Sequence, residues 1–129
     1  MLGLATPEGT VVVADFEAGI GTLTRLGDTK VDAVVVVTDA TVKSLEVAAR
    51  AASLAEEHTT GPIVIVANRA IGDDAAAVER MLEGRTVLVV PDDDAIPMAD
   101  RADAAPLDAA PDSPAVQALR ELASLVLLP

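Results

Sequence analysis

The stretch AVVVVTDATVKSLEVAARAASLAEEHTTGPIVIVANRA, residues 33–70, decides the fold class of this chain. It contains two runs rich in β-branched residues, Ala33–Thr38 and Pro62–Ala67, and neither run alternates apolar with polar side chains. Such runs are typical of strands whose two faces are both covered, as in parallel sheets. The residues between the two runs have helical periodicity, so the stretch predicts a β-α-β unit.

The helix of this unit is predicted from its spacing and its ends. Apolar residues recur every three or four positions and form one stripe along a helix. The stripe consists of Val42, Leu45, Ala48, Ala49, Ala52 and Ala55. Thr41 is a candidate N-cap, and Gly61-Pro62 is expected to end the segment before the next strand.

Outside this unit, Thr10–Ala14 and Thr86–Val90 predict two more strands of the same kind. Further helices are expected after Asp73 or Asp74 and after Ser113, where Pro114 suits a first helical turn. The last helix has a predicted inner stripe of Val116, Leu119, Leu122 and Val126.

Alternating strands and helices predict the α/β class, with an open, mostly parallel sheet of about four strands flanked by helices. We expect a single domain over residues 1–129. Within it, residues 91–112 form an acidic connection rich in Pro and Ala, and residues 113–128 form the C-terminal helix.

Charge and composition restrict the partners. The chain has 129 residues, 9 basic against 21 acidic, and a formal net charge of −12. This charge disfavours nucleic acid and anionic membrane surfaces, which attract clustered Lys and Arg. With no cysteine in the chain, a cytoplasmic location is expected.

Candidate site residues follow the strands, because ligands of open parallel sheets bind beyond the carboxyl ends of the strands. The predicted strands are followed by Asp15-Phe16-Glu17, by Asp39-Ala40-Thr41, by Asn68-Arg69 and by Pro91-Asp92-Asp93-Asp94. Polar residues are therefore expected to gather at one edge of the sheet.

Several of these segments together carry a resemblance to a known family. VVVADFEAGIGTLTRL (residues 11–26) is similar to the D-x-E-A-G segment of CooC-like carbon monoxide dehydrogenase maturation ATPases, which belong to the MinD/ParA group of P-loop ATPases. The similarity continues through VDAVVVVTDATVKSLEVAAR (31–50), IVIVANR (63–69), the Pro-x-Asp after the fourth run, and Asp112–Val116. The chain thus resembles the C-terminal half of such an ATPase domain, a partial P-loop NTPase fold.

On the phosphate side, the resemblance implies ATP and Mg²⁺ as cofactors. Asp15 matches the Walker B-type acid that helps to hold the metal. Gly19 matches the switch glycine, whose backbone N–H senses a terminal phosphate. Glu17 matches a family position near the switch without an assigned role.

On the base side, Asn68 matches an amide that recognises the edge of adenine, and an amide has the paired donor and acceptor for this task. Arg69, Pro91 and Asp93 match positions that flank the base.

The family's Gly-rich loop with Gly-Lys-Thr or Gly-Lys-Ser has no counterpart in these residues. The chain has two lysines, Lys30 and Lys43, and neither follows a glycine. The loop before Lys43-Ser44 contains no glycine, and its Asp39 would repel a phosphate, so we reject it as a P-loop.

ATP hydrolysis by this chain alone is therefore not expected. A P-loop is expected to come from a partner chain or from sequence upstream of Met1, and a homodimer is the other expected assembly. The alternative is a non-catalytic interaction or regulatory module derived from the same fold. A phosphoacceptor receiver domain is disfavoured, because the sequence has no lysine beyond Lys43.

Overall fold

The computed structural model of the chain describes residues 7–16, 21 and 27–127. Its elements are β1 (Val34–Asp39), α1 (Val42–Ala55), β2 (Ile63–Ala70), α2 (Asp74–Met81), β3 (Thr86–Pro91), α3 (Ala95–Arg101), α4 (Pro106–Ala109) and α5 (Pro114–Leu127). The three strands form a parallel sheet in the order β1-β2-β3. The predicted α/β class with an open parallel sheet is confirmed.

Helices cover both faces of this sheet. On one face, α1 and α2 pack against alternate residues of the strands, and the buried cluster there consists of Leu45, Ala48, Ala52, Ile65, Ala67, Val78 and Leu82. On the other face, α5 covers the intervening residues, and the buried cluster consists of Val64, Val66, Leu88, Val90 and Ala115. β2 is buried from both sides, which explains why its sequence does not alternate.

The β-α-β unit follows the sequence closely. The Thr41 side chain accepts a hydrogen bond from the Ser44 N–H and caps α1, as predicted. Leu45 and the alanines at 48, 52 and 55 are buried. Gly61 is required where α1 returns to the sheet, because a Cβ at this position would lie 1.7 Å from the carbonyl oxygen of Asp32. The first predicted residue of the stripe, Val42, is exposed.

The predicted strand at Thr10–Ala14 is wrong for this structure. These residues lie among the described ones but belong to no strand, and Val11, Val12 and Val13 are exposed. β-branched composition gives a tendency to form strands, but a strand also needs a hydrogen-bonded neighbour. The described sheet accordingly has three strands instead of about four.

The connection over residues 91–112 contains two short helices, α3 and α4. The sequence of this segment predicts neither helix. The last helix begins at Pro114 as predicted, and the Ser113 hydroxyl accepts a hydrogen bond from the Val116 N–H. Leu119 departs from the predicted inner stripe and is exposed, whereas Val116 is buried.

Candidate functional site

The carboxyl ends of the strands and the N-termini of α1 and α2 enclose an open cavity of about 380 Å³. Its lining comprises Asp39, Ala40, Thr41, Asn68, Arg69, Ile71, Asp74 and Asp92. A cavity at this edge is where parallel α/β sheets bind ligands. We call it the carboxyl-edge pocket.

An irregularity in β2 shapes the floor of this pocket. The pairing of β2 with β3 shifts register between Ala67 and Ala70, so Asn68 and Arg69 lie in a bulge. Arg69 has a φ of 55°, in the left-handed region that non-glycine residues seldom adopt. Bulges of this kind re-aim side chains next to binding sites.

The re-aimed Arg69 side chain reaches across to the end of β1. Its Nη2 donates a hydrogen bond of 3.2 Å to Asp39 Oδ1. Both side chains are more than half exposed, so the pair adds little to stability. The ion pair matters for the pocket, because Asp39 partly neutralises the positive charge that Arg69 presents there.

Asn68 lies in the same bulge with its side chain half-buried. Within the described part of the chain, its side-chain amide has no hydrogen-bond partner. The amide therefore retains two donors and an acceptor for a ligand in the carboxyl-edge pocket.

Other polar groups of the lining have structural partners. Asp74 Oδ2 accepts a hydrogen bond of 2.9 Å from the Ile71 N–H and holds the turn between β2 and α2. The Thr41 hydroxyl caps α1 and also donates a 2.8 Å hydrogen bond to Ser44 Oγ. These contacts keep the rim of the pocket in place.

The lining has three carboxylates, those of Asp39, Asp74 and Asp92, and one guanidinium, that of Arg69. Its net charge is therefore negative at neutral pH. A polyphosphate group would meet mostly like charge here, whereas an uncharged or cationic ligand would not.

Asp93, which the resemblance placed beside the base, has another set of contacts. Its Oδ1 accepts a hydrogen bond of 2.9 Å from the Ala95 N–H at the start of α3. Its Oδ2 accepts one of 3.0 Å from the Ala115 N–H at the start of α5. The pKa of Asp93 is lowered mainly by the Ala115 N–H and then by the Ala95 N–H; desolvation opposes these effects, and the Ser113 hydroxyl makes the smallest contribution, which also lowers the pKa.

Of the predicted site residues, Asn68 and Arg69 line the carboxyl-edge pocket. Pro91 ends β3 at the same edge of the sheet but is not part of the lining, and Asp93 is likewise absent from it. The lining contains Asp92 instead, and it also contains Asp74, which sequence reasoning considered only as a helix cap. The position of α2 directly after β2 was the signal that could have placed Asp74 there.

Asp15 lies in the exposed segment of residues 10–16 and is not among the pocket residues. Across the described ranges, no group of three or more His, Cys, Asp or Glu side chains is arranged to hold a metal ion. Glu17 and Gly19 lie outside the described residues.

Among the described helices, none is both long enough and apolar enough to cross a membrane.

Comparison of the sequence with protein-family models and with curated proteins found no match.

Proposed function

We propose that the carboxyl-edge pocket binds the adenine end of a nucleotide, and that the chain does not hydrolyse ATP by itself. One observation carries the proposal: the Asn68 amide, without a hydrogen-bond partner in the described part of the chain, lies in an open cavity at the carboxyl ends of parallel strands. The resemblance to MinD/ParA-type and CooC-like ATPases supports the same assignment.

The chemistry of an amide suits adenine. A side-chain amide can donate to a ring nitrogen of adenine and accept from its exocyclic amine, and both bonds form in one plane. The same orientation gives a mismatched pair on guanine, where the exocyclic oxygen replaces the amine. Adenine recognition by Asn68 is therefore expected to discriminate against guanine.

The phosphates have much weaker support. The cationic side chain of the pocket, Arg69, is paired with Asp39, and the other charged lining residues are acids. Phosphoryl transfer depends on positioning and on neutralising the charge of the phosphates. In this proposal, hydrolysis of ATP with Mg²⁺ requires a phosphate-binding loop from a partner chain, because the sequence itself contains none.

The first experiment is calorimetric titration of adenosine, guanosine and ATP, with and without Mg²⁺. We expect adenosine to bind and guanosine to bind much more weakly. ATP without Mg²⁺ is expected to bind more weakly than adenosine because of the acidic lining. Equal affinity for adenosine and guanosine would contradict the assignment of Asn68.

The matched variants are Asn68→Ala and Gln117→Ala, which remove the two side-chain amides of the chain. Gln117 lies on α5, where its Nε2 donates to the carbonyl oxygen of Pro111, and it is not part of the pocket. Asn68→Ala is expected to abolish adenosine binding, and Gln117→Ala to leave it unchanged. Retained binding in Asn68→Ala would overturn the proposal.

The second candidate function is a non-catalytic interaction module. It is favoured by β1, whose outer edge pairs with no described strand and which has exposed valines on one face. A cytoplasmic location belongs to both candidates, because a chain without cysteine suits a reducing compartment. Binding of a partner to this strand with equal strength in the presence and absence of nucleotide would support the module.

A further inference from the structure

β1 is one of the two edge strands of the described sheet, and β3 is the other. It pairs with β2 in parallel over Val34–Asp39, and no described strand lies on its other side. An unpaired edge of β-branched residues exposes a row of backbone donors and acceptors, and is a template for another strand. Charged residues and bulges usually protect such edges, but Val34–Thr38 contains neither.

One face of β1 is also uncovered. α5 packs on β3 and β2, and leaves Val35 39% and Val37 65% exposed. The opposite face is covered, since Val36 packs against the cluster beneath α1. The surface formed by the outer edge of β1 together with Val35 and Val37 is called the β1 surface below.

The same chain carries a segment with the complementary composition. Thr10–Ala14 reads TVVVA and has no charged residue. It belongs to no strand, and Val11, Val12 and Val13 are 62%, 51% and 87% exposed. It matches β1 closely in length and in residue type, and its own backbone groups lack strand partners.

We propose that the β1 surface binds the Thr10–Ala14 segment of a second copy of this chain, in a reciprocal exchange. In each copy, the outer edge of β1 and the Thr10–Ala14 segment have no strand partner among the described residues, so two copies can satisfy both without any other protein. A reciprocal exchange closes as a two-fold dimer, and swapping of an identical element is a common route to dimers.

Charge supports this occupant. The chain has a net charge of −12, so most of its surface repels another copy. Thr10–Ala14 and Val34–Thr38 are uncharged, and the acids that flank them, Asp15 and Asp39, lie outside the proposed contact. The apolar side chains that are exposed in each copy would become covered in the dimer.

The test is light scattering coupled to size exclusion over a range of chain concentrations. The unmodified chain is expected to form a dimer. Val12→Asp and Val37→Asp each place a charge inside the contact, and each is expected to raise the apparent dimer dissociation constant at least tenfold. The matched control is Val47→Asp, a change at a 50% exposed valine of α1, which is expected to leave the dimer intact.

Circular dichroism of each variant checks that the helices are retained. A chain that remains monomeric at all concentrations would overturn the proposal. The proposal also fails if such a monomer binds an unrelated protein through β1. A dimer that survives both Val12→Asp and Val37→Asp would overturn it as well.

A second measurement distinguishes exchange from docking within one copy. Since the chain has no cysteine, Val12→Cys and Val37→Cys chains can be prepared separately, mixed and treated with a short bis-maleimide. Exchange predicts a cross-linked heterodimer of the two variants. In a chain with both substitutions at low concentration, cross-linking confined to the monomer would instead assign the edge to the chain's own segment and refute the exchange. Neither experiment depends on nucleotide, so the outcome is independent of the proposed adenine site.

Discussion

Asp93 Oδ2 accepts a 3.0 Å hydrogen bond from the backbone N–H of Ala115, a residue 22 positions further along the chain. Through this bond, the carboxylate that follows β3 fixes the first turn of α5. Its other oxygen holds the Ala95 N–H at the start of α3. A single side chain therefore sets the course of the connection that leads from the sheet to its covering helix.

This arrangement predicts a specific dependence of stability on pH. The backbone N–H groups lower the pKa of Asp93 from its ordinary value of 3.8, so the folded state favours the ionised carboxylate. The resulting stabilisation is present above the unfolded pKa and is lost as the pH falls through the lower, folded pKa. Asp93→Asn is expected to be less stable at pH 7, with a weaker pH dependence between about pH 5 and pH 2.

Urea unfolding at a series of pH values measures this effect. Asp108→Asn is the matched control, because Asp108 is exposed on α4 and does not contact the start of α5 by a side-chain hydrogen bond. If the two variants have the same pH dependence, the Asp93 contacts do not stabilise the fold.

A second prediction concerns the close approach of Gly61 to the backbone of Asp32. A Cβ at position 61 would lie 1.7 Å from the Asp32 carbonyl oxygen, and neither backbone group can move without shifting the start of β1 or β2. Gly61→Ala is expected to reduce the free energy of unfolding by about 1–3 kcal/mol or more. The comparison is Gly21→Ala, where a Cβ meets nothing within 4 Å and φ lies outside the left-handed region. If denaturant unfolding gives the same loss of unfolding free energy for both variants, the close approach of Gly61 to Asp32 does not determine the loss.

The N-cap of α1 gives a third prediction. Thr41→Ala removes the acceptor for the Ser44 N–H and is expected to cost about 1 kcal/mol of stability. Thr41→Ser keeps the hydroxyl and is expected to retain most of that stability. Thermal unfolding of both variants tests the cap, and a Thr41→Ser chain as unstable as Thr41→Ala would argue against it.

A fourth prediction addresses the charge of the carboxyl-edge pocket. Asp39→Asn removes one carboxylate and releases Arg69 from its ion pair. If ATP binds there, its affinity should rise by about fivefold, equivalent to about 1 kcal/mol for one exposed charge. Adenosine affinity should stay the same, because the base carries no charge.

The control for this effect is Asp100→Asn, at an exposed residue of α3 that is not part of the pocket lining. Calorimetry at low ionic strength gives the largest contrast between the two variants. An equal rise in ATP affinity for both would attribute the effect to overall net charge instead of the pocket.

The parts of the fold that were predicted correctly are those in which local sequence and burial agree. Three of the four apolar runs became strands, at the predicted places to within a few residues. Thr10–Ala14 has the same composition but no neighbouring strand in the structure, and pairing partners cannot be read from composition. The helix α3 begins where Asp93 accepts the Ala95 N–H, and that contact depends on the final position of β3.

For the site, the rule that ligands bind at the carboxyl ends of parallel strands points to the edge of the sheet at which the carboxyl-edge pocket lies. It placed Asn68 and Arg69 in the pocket, but it could not separate Asp92 from Asp93. Because β3 ends at Pro91, Asp92 lines the pocket, whereas Asp93 accepts hydrogen bonds from the first residues of α3 and near the start of α5. The bulge that turns Arg69 towards Asp39 has no signature in the sequence, because it follows from the register of β2 against β3.

The inner face of α1 presents Ala48, Ala52 and Ala55, which are 3%, 1% and 0% exposed. At Ala48 and Ala52, two successive turns thus pack against the sheet through a single methyl group each. A larger side chain at any one of these positions would push the helix away from the sheet. It could be accommodated only if a side chain of the facing strand became smaller. In evolutionary terms, this face of the molecule is constrained to change by paired substitutions, and the exposed face of α1 is free to change one residue at a time.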